Sequence, residues 1–290
     1  MNNVFFSVVV PCYNVENTVI PTLQSLKNQE FTDFEIIFVN DGSIDKTQDI
    51  LNSFDSPVKK KIINQKNSGL GSARNTGIKA CFGEYIAFLD ADDLWAVDKL
   101  KIAYQYLNER KIECLCHNEY IVNAKNKLIK KNIYGPYTKF DDLYFKGNCL
   151  SPSAVIVKKD VFNKVGLFTE DLNLHGVEDY EMWMRMALCE IKIIYISNFL
   201  GSYVIHGNNM SSSVKFSIKE ERLLIIYSNK IRKNPRNEYK IKKRFLVFYL
   251  INLKNSLIDL GCLLKFMKNV ILLFLPRKAY IAVLNKRHSL

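Results

Sequence analysis

The strongest constraint on the fold is a regular alternation of short apolar runs and amphipathic segments over residues 6–92. The first run, Ser-Val-Val-Val at 7–10, is uninterrupted, as in a strand buried on both faces of a parallel sheet. Further strands are predicted at 34–39, 61–64 and 85–89, with helices at 17–28, 45–54 and 70–81. This order predicts an α/β fold with a doubly wound, mainly parallel sheet, which binds ligands at the carboxyl ends of its strands.

Beyond residue 92 the alternation becomes less regular. Helices are predicted at 97–109 and 180–190 and a strand at 193–196, while residues 112–157 mix strands with polar loops. We therefore expect a body over residues 1–214, made of a first half (1–110) and a second half (111–214).

The charge is distributed unevenly along the chain. Residues 1–214 carry 23 Lys and Arg against 25 Asp and Glu, whereas residues 215–290 carry 18 against 4, a balance of +14. A basic tail of this kind is expected to meet an anionic partner.

The tail is also predicted to be helical. An apolar stripe runs through it at helical spacing, interrupted by lysines, at Leu257, Leu260, Leu264, Met267, Ile271 and Phe274. No uncharged apolar run reaches the roughly 18 residues that a membrane-spanning helix needs. The pattern favours a helix lying on a membrane surface, with packing on the body or dimer formation as the alternatives.

A carboxylate cluster, Asp90-Ala91-Asp92-Asp93, directly follows the strand predicted at 85–89. A D-x-D at a strand end can hold a divalent cation against a diphosphate, because Mg²⁺ and Mn²⁺ prefer oxygen ligands. The same pattern also occurs as a simple helix cap, so the cluster alone leaves both interpretations open.

The glycine-rich segment Gly69-Leu70-Gly71-Ser72-Ala73-Arg74 nearly matches G-x-G-x-x-G. Arg74 replaces the third glycine and the segment follows the third strand, so a dinucleotide-binding fold is disfavoured. No P-loop motif occurs. Arg74 could instead contact a phosphate or hold an acidic side chain.

Together, four ordered motifs at 7–14, 39–45, 67–75 and 88–93 closely resemble the family 2 inverting glycosyltransferases of bacterial surface-polysaccharide type, which have the GT-A fold. The resemblance is strong over residues 4–110, moderate to about 214 and absent beyond. It implies that the first half binds a nucleotide-sugar donor and the second half an acceptor.

The resemblance also implies roles in donor binding. Pro11 and the ring of Tyr13 would line the base pocket, and Asp41 would hydrogen-bond the base, most often uracil. Arg74 would help to fix Asp41 and the donor, and Asp90 would contact the ribose or the donor sugar. Each of these residues lies at or just beyond a predicted strand end, or in the Gly-rich segment.

The resemblance further implies a metal site and a catalytic base. Asp92 would bind Mn²⁺ or Mg²⁺, and His206, within His-Gly-Asn-Asn-Met-Ser, would complete the metal shell or touch the diphosphate. Asp179 would be the base, with Glu178 as its rival. Both open the helix at 180–190, where the helix dipole is expected to keep a carboxylate ionised.

Trp95, which follows the carboxylate cluster, is either a sugar platform or a core residue; Trp183 is expected to be core. The acceptor site should be built from residues 112–176.

These features predict a metal-dependent transferase that moves a sugar, most often from a UDP-sugar, to a hydroxyl of a glycan or lipid-linked glycan. The first six residues have no basic start or small-residue cleavage site, so we expect no signal peptide there, and the scattered cysteines suggest reduced thiols. We therefore expect a cytoplasmic protein, peripheral on the anionic inner face of the cell membrane. Two rivals are a basic nucleic-acid-binding protein, for which no groove-reading motif is visible, and a non-catalytic sugar-binding scaffold. The oligomeric state stays open.

Overall fold

The computed structural model describes residues 4–108, 111–137, 139–207, 214–231, 237 and 239–246. The strands within these residues are β1 (Phe6–Cys12), β2 (Phe34–Asn40), β3 (Lys60–Asn64), β4 (Tyr85–Phe88), β5 (Leu94–Trp95), β6 (Cys114–Asn123), β7 (Leu128–Asn132), β8 (Val155–Lys158) and β9 (Ile193–Ile205). The α-helices are α1 (Val19–Lys27), α2 (Thr47–Ser53), α3 (Leu70–Ala80), α4 (Lys99–Asn108), α5 (Phe140–Lys146), α6 (Val161–Val165), α7 (Glu178–Leu188) and α8 (Val214–Ser228), and residues 239–246 are also helical.

The first half forms the predicted parallel sheet, in the order β3-β2-β1-β4. Every residue of β1 and β2 is buried, because helices cover both faces of the sheet. In this half, the strand and helix ends predicted from the sequence agree with the observed ends to within two residues, whereas β9 of the second half continues well beyond the predicted 193–196.

The second half is mixed rather than mainly parallel. β8 lies antiparallel beside β4, β6 is antiparallel to β8, and β9 runs parallel to β6 with β5 antiparallel at its edge. β7 pairs with β6 through a short antiparallel turn, a connection too short for the crossover that a parallel pair requires. The prediction of a mainly parallel sheet therefore holds for the first half alone.

Two hydrophobic clusters cover the two faces of the sheet. One contains Val9, Ile37 and Phe88 from the sheet, and the other contains Val8 and Phe38. Neighbouring strand residues point to opposite faces, so a continuous apolar strand supplies both clusters.

Helix α8, which overlaps the start of the predicted basic tail, packs on the body. Leu223 and Leu224 are buried in the same cluster as Val9, and the Tyr144 hydroxyl donates to the Leu224 carbonyl at 3.1 Å. Phe245 is buried in that cluster as well. Packing on the body, one alternative for the tail, is thus what this portion does.

The remainder of the tail lies largely beyond these residues. The apolar stripe from Leu257 to Phe274 falls outside the described residues, and its membrane role stays a prediction. Among the helices that the structure does describe, none is both long and apolar enough to cross a membrane.

Gly77 lets α3 pack directly on β1, which suggests a test of the fold. A Cβ at this position would lie 2.3 Å from Cγ1 of Val9, a fully buried β-branched side chain that cannot turn away. We expect Gly77→Ala to lower the free energy of unfolding by about 1–3 kcal/mol, despite the better helix propensity of alanine. Urea unfolding measures the change, with the exposed Lys79→Ala on the same helix as control. Equal stability of the two variants would contradict this packing.

Candidate active site

Two loops at the carboxyl ends of β1 and β2 are joined into one surface. The Asn14 amide donates to the Ser43 hydroxyl at 3.0 Å, and the Ile44 amide donates to the Asn14 side-chain oxygen at 2.9 Å. Asn14 has a φ of 49°, a left-handed conformation that asparagine tolerates. Tyr13, half exposed at 50%, presents its ring from this surface, whereas Pro11 is buried at the strand end.

Asp41 holds the loop that leads into α3. Its carboxylate accepts hydrogen bonds from the Ser68 amide at 2.9 Å, the Gly69 amide at 2.9 Å and the Gln65 side chain at 2.7 Å. The side chain is only 3% exposed. Arg74 is not among its partners, so the expectation that Arg74 fixes Asp41 is wrong; backbone amides do this instead.

Arg74 joins the two halves of the body. Its guanidinium donates to Asp90 at 2.8 Å and to Glu178 at 2.8 Å, and it lies 5.5 Å from the centroid of the Phe168 ring. The side chain is fully buried. Burial alone would lower its pKa, but the charges of Asp90 and Glu178 outweigh that effect and raise it, so Arg74 stays charged. Of the two options left by the sequence, Arg74 holds acidic side chains.

The segment around Arg74 fits closely against residues 168–170. Asn75 both donates to the Phe168 carbonyl and accepts from its amide, each at 2.9 Å. A Cβ on Gly71 would lie 2.3 Å from the Thr169 carbonyl oxygen. Glycine at 71 therefore serves contact between the halves, not a dinucleotide phosphate.

The three carboxylates of the cluster after β4 have different partners. Asp90 pairs with Arg74, and Asp92 lies 2.8 Å from Nε2 of His206. Asp93 is buried and accepts hydrogen bonds from the Ser153 hydroxyl at 2.6 Å and the Val204 amide at 3.0 Å. Burial, with Asp92 and Glu119 nearby, raises the pKa of Asp93 well above its usual range. Asp93 is therefore a structural residue.

Asp92 and His206 form the pair that could hold a metal ion. Burial, assisted by the charge of Asp90, raises the pKa of Asp92. No group of three or more metal-ligating side chains occurs in the described part of the chain. The Asp92 carboxylate is the kind of oxygen ligand that Mn²⁺ and Mg²⁺ prefer, and the His206 imidazole would add a nitrogen ligand to such an ion.

The neighbouring acids Glu178 and Asp179 occupy different environments. Glu178 is 2% exposed, and its two oxygens accept from Arg74 and from the Gly176 amide. Asp179 is half-buried and accepts from the Asn148 side chain at 3.0 Å. Its other oxygen accepts from the Tyr180 amide at 2.7 Å. Glu178 is thus held by a permanent cation, whereas both hydrogen-bond partners of Asp179 are neutral.

Burial and the charge of Glu178 raise the pKa of Asp179 to about 7, against the lowering effect of Arg74. Burial therefore works against the ionised state that was expected for this carboxylate at the helix N-terminus. A carboxylate with a pKa near neutrality is suited to accept a proton.

Both tryptophans belong to the core. Trp95 is 5% exposed, donates from Nε1 to the Ser153 carbonyl at 2.9 Å, and has the Lys99 ammonium 3.7 Å from its ring centroid. It offers no face to a sugar, so the sugar-platform interpretation is wrong. Trp183 is fully buried, as expected.

Three residues of the site carried no recognisable signal in the sequence. Gln65 supports Asp41, Phe168 lies beside Arg74, and Asn148 donates to Asp179. Gln65 and its partner are 24 residues apart, and Asn148 and Asp179 are 31 apart. No local pattern marks such pairs, so only the folded chain reveals them.

Comparison with known proteins agrees with this geometry. The family model for glycosyl transferase family 2 matches residues 7–166, more than half of the chain. Glycosyltransferase GlyA of Streptococcus pneumoniae serotype 4 is 31% identical over 219 residues, which cover 71% of this chain and 31% of GlyA. The chain spans about 30% of the length of the first curated relatives that it matches.

Solved structures share the fold. Staphylococcus aureus TarS 1–349, in complex with UDP-GlcNAc, has a TM-score of 0.70 at 23% identity, covering 91% of this chain and 79% of that one. The mannosyltransferase PcManGT from Pyrobaculum calidifontis, in complex with GDP-Man and Mn²⁺, has a TM-score of 0.61 at 14% identity, covering 98% and 87%. With the GT-A fold of these neighbours and the match of the family model to 160 of its 290 residues, this chain belongs to glycosyl transferase family 2.

Proposed function

We propose that the chain transfers a sugar from a nucleotide-diphosphate donor to a hydroxyl of a glycan or lipid-linked glycan, with inversion at the anomeric carbon. The observation that carries the proposal is the bridge through Arg74. It binds Asp90, two residues before Asp92, and Glu178, the neighbour of Asp179. One buried side chain thereby sets the donor end and the candidate base in a fixed relation.

Asp179 is the base in this proposal. Its carboxylate accepts the proton of the acceptor hydroxyl while that oxygen attacks the anomeric carbon and the bond to the nucleotide diphosphate breaks. Glu178 does not compete for the proton, because it is buried and forms an ion pair with Arg74. Asn148 orients Asp179.

Asp92 and His206 would hold the divalent cation, Mn²⁺ or Mg²⁺. When bound, such an ion neutralises charge on the departing diphosphate. The pair lies 2.8 Å apart, and PcManGT, which shares the fold, carries Mn²⁺ beside its nucleotide sugar.

The donor is a UDP-sugar in this proposal. The exposed ring of Tyr13 and the loop held by Asp41 form a surface at the strand ends where a base can stack. TarS is solved with UDP-GlcNAc, which supports uridine, whereas GDP in PcManGT is the alternative.

The acceptor and the location complete the proposal. A lipid-linked intermediate of bacterial surface polysaccharide, reached from the inner face of the cell membrane, fits the balance of +14 over residues 215–290. The chain retains Asp41, Asp92 and Asp179 together. This set of acids does not favour a nucleic-acid-binding protein or a non-catalytic scaffold.

A panel of nucleotide sugars tests the reaction directly. The full chain is incubated with UDP-, GDP- and dTDP-sugars with and without Mn²⁺, and released nucleotide is measured. We expect slow, metal-dependent hydrolysis of a UDP-sugar in preference to the others. Absence of hydrolysis or transfer across the panel would overturn the proposed function, and preference for a GDP-sugar would overturn the choice of uridine.

Single substitutions of Asp179 and Glu178 distinguish the catalytic base from its neighbour. Asp179→Asn should bind UDP with near wild-type affinity but transfer sugar about 10²–10⁴-fold more slowly, because the proton acceptor is lost. Glu178→Gln should lower thermal stability, because buried Arg74 loses one of its two carboxylate partners. If Glu178→Gln shows the kinetic loss and Asp179→Asn does not, the assignment is reversed.

The pH dependence of kcat follows from the same carboxylate. A base must be ionised, and the pKa of Asp179 is about 7, so kcat at saturating donor should fall as pH drops through 7. The hydrogen bond from Asn148 lowers this pKa, so Asn148→Ala should shift the acidic limb to higher pH. If Asn148→Ala instead shifts the acidic limb of the kcat profile to lower pH, the assignment of Asp179 as the base is contradicted.

Loss of the metal ligand tests the donor end. Asp92→Asn should lower activity by at least about a hundredfold, since a metal contributes several kcal/mol of transition-state stabilisation. Its melting temperature should change little, because Asp92 lies beyond a strand end. Asp55→Asn, at an exposed carboxylate, is the control. EDTA should abolish wild-type activity and Mn²⁺ or Mg²⁺ should restore it, whereas full activity in EDTA would contradict a metal at Asp92.

A further inference from the structure

The β6–β7 hairpin projects from the same edge of the sheet as the candidate site. β6 and β4 run in the same direction, because both are antiparallel to β8. The carboxyl end of β6 therefore lies at the edge from which Asp90 and Asp92 extend. β8 pairs only with residues 114–116 of β6, so β6 continues about 20 Å beyond β8 at 3.3 Å per residue.

Beyond Glu119, which is buried at its base, the hairpin is basic. Residues 120–139 carry five lysines and no Asp or Glu. Four of these lysines, Lys125, Lys127, Lys130 and Lys131, lie within the exposed stretch 124–131. The adjoining part of β9, residues 199–205, also contains no acidic residue.

The hairpin also exposes large aliphatic side chains. Leu128, Ile129 and Ile133 are 52%, 55% and 72% exposed. The three aliphatic residues are interspersed along the chain with Lys127, Lys130 and Lys131. Basic and aliphatic side chains are therefore presented together along the hairpin.

The base of the hairpin is held firmly. Tyr120 stacks on Phe199 of β9 with ring centroids 4.8 Å apart, and the Lys131 ammonium lies 5.5 Å from the Phe199 centroid. The lysines and aliphatic groups are therefore presented on an anchored ribbon.

We propose that this hairpin docks the catalytic edge onto an anionic lipid bilayer. Lysines attract anionic headgroups, and aliphatic side chains gain by burial at the boundary of headgroups and acyl chains. A soluble polyanion would leave the three aliphatic groups exposed to water. Pairing with a second copy is opposed by the row of lysines on the β7 edge, since charged edges discourage strand addition. Docking itself is independent of the proposed function; only its use, to meet a lipid-linked acceptor, rests on it.

A local fluorescent reporter tests the contact in the full chain. The sequence contains two tryptophans, Trp95 and Trp183, and both are buried. Leu128→Trp therefore adds an exposed indole on the hairpin. Its emission should shift to the blue on addition of phosphatidylcholine vesicles containing phosphatidylglycerol, and not with phosphatidylcholine alone. No shift with anionic vesicles would overturn the proposal. An equal shift with soluble polyphosphate would also overturn it, in favour of a soluble polyanion.

Charge removal with a matched control separates the hairpin from the rest of this basic protein. Exchange of the four hairpin lysines for glutamine should weaken vesicle binding at least tenfold. The control exchanges Lys59, Lys79, Lys111 and Lys192, which are exposed and near the opposite ends of the strands, and should change binding less than twofold. Equal losses would show that binding follows overall charge and would overturn the proposal. So would lipid-free dimerisation of wild type that the hairpin exchange abolishes.

Donor hydrolysis without lipid keeps the two proposals separate. Neither lysine set belongs to the candidate site, so metal-dependent hydrolysis should match wild type in both variants. Vesicle binding without any hydrolysis by wild type would sink the proposed function and leave the hairpin proposal standing.

Discussion

The buried guanidinium of Arg74 is the interaction on which the arrangement of the site depends. A charge removed from water is costly unless it is paired and hydrogen-bonded. Arg74 meets this requirement with one acid from each half of the body, Asp90 and Glu178. The halves can therefore separate only by exposing or unpairing a buried charge. Asn75, bonded twice to the backbone of Phe168, reinforces the same contact with neutral groups.

This pairing also explains how neighbouring acids acquire different chemistry. Glu178 is ion-paired with Arg74, yet its negative charge still raises the pKa of Asp179, which burial has already raised. In the same way, Asp90 pairs with Arg74 while Asp92 faces His206 and Asp93 is enclosed by Ser153. Environment, rather than residue type, divides the tasks among these five carboxylates.

The mixed second half of the sheet gives the site its setting. β6 extends beyond the end of β8. The polar residues at the strand ends therefore lie beside the β6–β7 hairpin instead of at an open edge of the sheet. β9 follows β6 along this extension and ends at Ile205, which brings the next residue, His206, to Asp92. A parallel sheet with helical crossovers throughout would have ended its strands at similar heights and left no such hairpin. Helix α8 covers the body and contributes Leu223 and Leu224 to its core.

The sequence by itself determined the first half of the fold, because uninterrupted apolar strands and helical spacing are local patterns. It also marked Asp90, Asp92 and Asp179 as candidate site residues, through their places at strand and helix ends and through a family resemblance. Only the tertiary structure decided which acid pairs with Arg74, that Trp95 is core, and that Asp179 has a pKa near 7. The physical reason is that these properties depend on burial and on partners up to 104 residues away in the chain, which spacing along a sequence does not encode.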